Sequence, residues 1–233
     1  WRSPNHRALV ARARYYLRAA SWQRIATPLG AIQTYTYLPD RGDPAGTILL
    51  VHGWTGEASF MTAIAEPLRR AGFRVILYDL PAHGLSAGRD TNLMDCARAT
   101  VAVADHFGNI DAVVTHSFGS MIALVAAEGA EPMPHGLADI AVYALVASPN
   151  HLRDITQIFA AHWQLAPAGL RAFEHRLERI GRRPMHEFSI ARLLHAVGAK
   201  ALLVHARDDD QISALRAEEI AAELPDAELK LFD

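Results

Sequence analysis

Ser117 lies in Thr115-His116-Ser117-Phe118-Gly119, after an apolar run from Ile110 to Val114 broken by one Asp and before Ser120 to Glu128, whose Ala, Leu, Ile and Met favour helix. A serine between a buried strand and a helix matches the context in which G-x-S-x-G makes a nucleophile elbow. The turn strains the serine backbone and lifts Oγ clear of the sheet. Gly119 is required because a Cβ there would collide with a neighbouring strand or helix. Thr115 replaces the first glycine. The five residues alone therefore also fit a polar loop of an ordinary α/β domain.

A hydroxyl becomes a nucleophile only when a base takes its proton, and the tetrahedral intermediate needs donors aimed at its oxyanion. The elements that must bring such groups together are legible in the hydrophobic pattern. Thr47 to Val51 is a fully apolar buried strand running into His52-Gly53-Trp54-Thr55-Gly56. A helix from about Ser59 to Ala71, capped by Gly72, leads to a second buried strand, Phe73 to Tyr78. Asp79-Leu80-Pro81-Ala82-His83-Gly84-Leu85-Ser86 follows, then a helix from about Asn92 to Phe107 before the elbow strand. Another strand spans Asp139 to Ala147. Strands separated by helices of this length predict right-handed βαβ crossovers and a mostly parallel, doubly wound α/β sheet.

Ala31 to Leu38 alternates and is rich in Thr and Tyr, which predicts a half-exposed edge strand before the turn Pro39 to Gly46. Residues 149–195 read as helical, with Ile155, Ile158, Phe159, His162 and Leu165 on one face and Leu170, Phe173, Leu177 and Ile180 on a second. An insertion of this kind predicts a short helical cap over the strands' C-terminal edge, where α/β folds bind ligands. The sheet resumes at Lys200 to His205, followed by Ala206 to Gln211, a helix from about Ser213 to Leu224, and Glu228 to Phe232. The chain thus divides into a leading segment, 1–30, a core in two parts, 31–148 and 196–233, and the cap, 149–195.

The 233 residues, 51% hydrophobic and 21% charged, suffice for one sizeable core. A net charge of −2 gives no argument for a nucleic-acid partner, and one cysteine, Cys96, excludes an internal disulfide framework or a Cys-rich metal site. Apolar runs are strand-sized, so no transmembrane segment is expected. Arg2 to Arg24 holds six arginines and no acid, leaving 17 bases against the 25 acids of the remainder. Leu9, Val10, Ala13, Tyr16, Leu17 and Ala20 recur at helical spacing, predicting an amphipathic basic helix over 5–20 that packs on the acidic body. Membrane-surface or partner contact through that helix is the sharper alternative. One cysteine and no visible signal point to a cytoplasmic location, although Trp1 is not an initiator Met.

From about residue 31 to 233 the chain resembles the α/β-hydrolase family. The resemblance rests on His52-Gly53-Trp54, Asp79-x-Pro81-x-His83-Gly84-x-Ser86, the elbow at Ser117, and His205-x-x-x-Asp209 with Ile212, in that order. It implies Ser117 as nucleophile, Asp209 as the acid that orients the base, and an oxyanion hole from the backbone N–H groups of Trp54 and Phe118. The side chains of Trp54 and Phe118 remain free to line an acyl pocket, with Phe159 and Trp163 of the cap as further substrate-binding candidates. His52 and His83 are expected to fix loops, and Asp208 and Asp210 to be solvated. Family order puts the base histidine after the acid, yet no histidine follows His205. The reading places it just beyond Asp233, after a last strand that reads as truncated.

The implied activity is hydrolysis of a small or acyl-chain ester or thioester through an acyl-enzyme, with no cofactor and no metal. Serine at the elbow argues against the dehalogenase and epoxide-hydrolase branches that the resemblance brings in. C–C bond or amide hydrolysis by the same constellation is an alternative, as is a non-catalytic ligand-binding protein on this fold. An interaction protein organised by the basic helix is a third class.

Overall fold

The computed structural model describes residues 6–137 and 140–233. The expected helix start at Asn5 and strand start at Asp139 lie outside them. Eight strands form one sheet: β1 (Ser21–Thr27), β2 (Gly30–Tyr37), β3 (Thr47–Val51), β4 (Arg74–Tyr78), β5 (Ala112–His116), β6 (Val142–Val146), β7 (Lys200–Ala206) and β8 (Glu228–Phe232). Their spatial order is β1-β2-β4-β3-β5-β6-β7-β8. β1 and β2 pair antiparallel, as do β2 and β4, while every pairing from β4 to β8 is parallel.

The helices are α1 (His6–Tyr16), α2 (Thr62–Arg70), α3 (Leu93–Phe107), α4 (Gly119–Glu128), α5 (Leu152–His162), α6 (Pro167–Gly181), α7 (Ile190–Val197) and α8 (Leu215–Glu223). Asn92 caps α3 by accepting from the Asp95 N–H at 3.0 Å. One apolar layer places α3, α4 and α7 against the sheet through Val101, Ile122, Leu124 and Leu193. The opposite layer places α1 and α2 against Tyr35, Leu50 and Leu77. β3 is buried along its whole length, as a parallel strand covered on both faces must be. α4 is buried from Gly119 to Ala126, so the helix after the elbow is fixed on every side.

Three elements differ from the sequence-based expectation. Ala31 to Leu38 does not form the edge: β2 lies inside the sheet, and residues 21–27, expected as linker, are the edge strand β1. β1 is mostly exposed, with Ile25 its buried apolar residue, so it carries no hydrophobic alternation to detect. Secondly, α7 packs on α4 with Ile190, Ala191, Leu193 and Leu194 buried, so it belongs to the core and the inserted helices are α5 and α6. Thirdly, the predicted apolar face of α5 is largely open: Ile158, Phe159 and Leu165 are exposed and Ile155 alone of its aliphatic residues packs partly on the core, whereas Leu152, Thr156 and Ala160 are buried. No described helix is long and apolar enough to cross a membrane.

Candidate active site

Ser117 follows β5 directly and takes φ 51°, a left-handed conformation that non-glycine residues adopt at a cost of about 1–3 kcal/mol. The chain turns so sharply because α4 is pressed against the exit of β3. A Cβ on Gly119 would stand 2.5 Å from the Val51 carbonyl oxygen and 2.7 Å from that of His52, so only glycine fits. Across the cleft, a Cβ on Gly53 would meet Ser117 Cβ and the His116 carbonyl at 3.1 Å and His116 Nδ1 at 3.2 Å. The loop after β3 and the elbow are therefore in contact.

The first position of the elbow pattern is Thr115. It is fully buried and points into the core, where Oγ1 lies 2.7 Å from Ser120 Oγ and 3.4 Å from the Ala144 carbonyl. The residue that departs from the glycine pattern thus ties β5 to the first turn of α4.

The loop from His52 to Glu57 is held by groups of the Asp79–Ser86 segment. Leu80 N–H donates to His52 Nε2 at 3.0 Å, so Nε2 is bare and Nδ1 carries the hydrogen given to the Gly53 carbonyl at 2.8 Å. Burial drives the His52 pKa down to about 3, keeping the ring neutral in this tautomer. His83 works the same way: Thr55 N–H donates to Nε2 at 3.3 Å, and Nδ1–H donates to the Pro81 carbonyl at 2.9 Å. Burial lowers its pKa too. Gly56 N–H closes the turn onto the Gly53 carbonyl at 3.1 Å.

Asp79 anchors the same loop from below. Its carboxylate accepts from Ala58 N–H and Leu85 N–H, each at 2.8 Å, and from Tyr35 O–H at 2.9 Å. Burial raises its pKa to about 6, against the pull of those donors. Gly84 cannot be replaced, because a Cβ would overlap the Asp79 carboxyl at 2.2 Å. Trp54 and Phe118 come together, their rings edge-to-face at 5.6 Å, and Trp54 also meets the His83 ring edge-to-face at 5.1 Å. Among the described residues, the backbone N–H groups of Trp54 and Phe118 donate to no protein acceptor.

Asp209 lies on the loop after β7. Its Oδ1 accepts from the N–H groups of Gln211 and Ile212, both at 2.9 Å, which folds the loop around the carboxylate. His205 is fully buried beneath it and donates from Nε2 to the Ile212 carbonyl at 2.7 Å, with Asp209 Oδ2 3.4 Å away. His116 is drawn in both directions, its pKa lowered by partial desolvation and raised by the charge of Asp209. The elbow and the acid loop are thus electrostatic neighbours at the C-terminal edge of the sheet.

Residues 48–233 match the family described as the alpha/beta hydrolase family, which is most of the chain. The chain belongs to that family. A stretch of 85 residues is 34% identical to Methylesterase 9 of Arabidopsis thaliana, covering 34% of this chain and 33% of that protein. The match thus spans about a third of the curated relative's length. Among solved structures, an esterase of Pyrococcus furiosus superposes with a TM-score of 0.64 at 18% identity, covering 94% of this chain and 85% of that one. A thioesterase domain from the curacin biosynthetic pathway superposes with a TM-score of 0.64 at 15% identity, covering 92% and 93%. At such identity these two structures speak to the fold of this α/β hydrolase.

The remaining candidates separate from this cluster. Phe159 and Trp163 sit on α5, packed with each other at 6.3 Å, with Phe173 of α6 5.0 Å from Phe159; no aromatic contact joins them to Trp54 or Phe118 among the described residues. A 340 Å³ pocket opens between α5 and α8, lined in part by His151, Asp154, His186 and Arg216. Its Arg216 is already paired with Asp154 at 3.3 Å and Glu219 at 2.7 Å. After α6, the Arg183 side chain is buried against Glu128 of α4 and lies over the Phe188 ring at 4.4 Å. Reading the sequence missed Tyr35, Glu57 and Ser120, whose partners are 44, 45 and 5 residues distant. Only the Thr115–Ser120 spacing, within one strand-to-helix turn, held a local signal.

Proposed function

We propose that this α/β hydrolase cleaves a small or acyl-chain carboxylic ester or thioester through an acyl-enzyme at Ser117. Ser117 Oγ attacks the carbonyl carbon while an imidazole oriented by Asp209 takes its proton. The oxyanion accepts from the N–H groups of Trp54 and Phe118. The proton then passes to the departing alcohol or thiol, and water repeats the sequence to release the acid. The rings of Trp54 and Phe118 form the acyl wall, and the cap rings Phe159 and Trp163 add apolar surface further out.

The observation that carries this reading is Ser117 at positive φ, wedged by Gly119 and facing a loop whose Trp54 N–H has no protein acceptor among the described residues. The ester and thioester chemistry named for the similar proteins supports the substrate class. The test is covalent labelling of the full-length protein by a fluorophosphonate probe, mapped by mass spectrometry. We expect modification at Ser117 and none in Ser117→Ala. An unlabelled Ser117, beside a control hydrolase that labels normally, would overturn the assignment and favour a ligand-binding role.

A further inference from the structure

We propose that Arg12 of the N-terminal helix is a positioning residue for the loop that carries the Trp54 N–H. Helix α1 is docked on the sheet by the buried Ala13 and Leu17, by Tyr37 O–H donating to the Tyr16 carbonyl at 3.0 Å, and by Trp22 Nε1–H donating to the Leu17 carbonyl at 3.0 Å. From that fixed base, Arg12 reaches Glu57, with Nε 2.6 Å from Oε1 and an η nitrogen 3.4 Å from Oε2. Its guanidinium also lies 5.1 Å from the centre of the Phe60 ring. Glu57 is almost wholly buried, its side chain 6% exposed, and Ser59 O–H is its other donor. A carboxylate in that position needs its cation, since an unpaired buried charge is strongly unfavourable.

Glu57 directly follows the turn that Gly56 N–H closes on Gly53, with Trp54 inside that turn. Its other neighbour, Ala58, is tied to Asp79. The turn is thus held at its start by the His52 network, at Thr55 by His83, and just past its end by Asp79 on Ala58 and by Arg12, 45 positions earlier in the chain, on Glu57. Loss of Arg12 drives Glu57 towards water and draws Gly56 with it, shifting an N–H whose direction matters in the transition state more than in the ground state. A basic helix that reads from sequence as packing on the acidic body therefore acts on catalysis through a single ion pair.

The catalytic half of this inference rests on the proposed role of Trp54 N–H. The test uses the full chain with two readouts: hydrogen exchange of peptides covering residues 53–60, and kcat and KM on a p-nitrophenyl ester. The variants are Arg12→Ala; Arg12→Met/Glu57→Gln, which removes the pair without stranding a charge; Arg12→Lys; and Arg14→Met as a control on the exposed side of α1. We expect faster exchange over 53–60 and a fall in kcat of about tenfold or more in the first two, with KM within about threefold. Arg12→Lys restores part of the rate, and Arg14→Met matches wild type. Unchanged exchange in both Arg12→Ala and the double variant overturns the clamp. Faster exchange with unchanged kcat overturns the catalytic half. Faster exchange in a protein whose wild type turns over no ester and resists the phosphonate probe supports the clamp and overturns the hydrolase reading instead.

Discussion

Two regions of the molecule are built differently. At the β3 and β5 exits, polar groups are buried and each has its partners: His52 with Leu80 and Gly53, His83 with Thr55 and Pro81, Asp79 with three donors, Thr115 with Ser120. Around the inserted helices α5 and α6, the rings Phe159 and Trp163 are exposed, and ion pairs such as Arg182–Glu131 sit in water. Buried, matched networks lose heavily when one member is removed, whereas exposed pairs and rings lose little. The difference teaches where geometry is enforced and where the surface is free to vary.

The strongest way to break this comparison is at the nucleophile itself. Ser117→Ala is expected to lower ester turnover by roughly 10⁴-fold or more while leaving the melting temperature within a few degrees, by kinetics and calorimetry. Next is the wedge. Gly119→Ala forces a Cβ onto the carbonyls of Val51 and His52, which are backbone and cannot swing aside. We expect a stability loss of about 3 kcal/mol by denaturant titration, with activity abolished. Thr115→Gly, which restores the elbow pattern, should still destabilise by about 2 kcal/mol, because it strips the Ser120 partner and loosens a central strand; kcat should change less than threefold. Gain of stability in that variant would show that the threonine is tolerated rather than used.

Acid sensitivity sharpens the same contrast. His52, with its folded pKa near 3, and His83 and His116, also lowered, bind fewer protons folded than unfolded below about pH 6.5. Their contribution is present above that pH and is lost as pH falls from about 6.5 towards 3. Asp79, raised to about 6, acts oppositely, since the folded state holds its proton more tightly and stability falls as pH rises from about 4 to 6. Three histidines against one carboxyl predict a net fall in melting temperature from pH 7 to 5, and His52→Asn should flatten that slope. A slope unchanged in His52→Asn would remove His52 from the account. The smallest effect is expected just after α5, where Trp163→Ala should cost under about 0.5 kcal/mol and leave the acid slope untouched.

Much of this was legible in the residues themselves. Gly119 announces a close approach, Thr47 to Val51 a doubly covered strand, and Asn92 a helix start, because each is a local consequence of backbone sterics, burial or capping. β1 was not legible, since an exposed edge strand is held by backbone pairing to β2 and not by a side-chain pattern. The open face of α5 was equally hidden. Its apolar spacing is helical, and periodicity does not say which face finds a partner.

The sequence by itself determined the alternation of strands and helices, the parallel crossovers and the family motifs, because these depend on local hydrophobic pattern and backbone geometry. Only the tertiary structure decided what the motif residues hold. Asp79 could have paired with His83 four residues on, yet it reaches Tyr35, Ala58 and Leu85. Arg12 could have faced solvent with Arg14, yet it meets Glu57. Such partners are chosen by which elements the sheet order sets side by side, and a buried charge accepts whichever counter-charge the packing delivers.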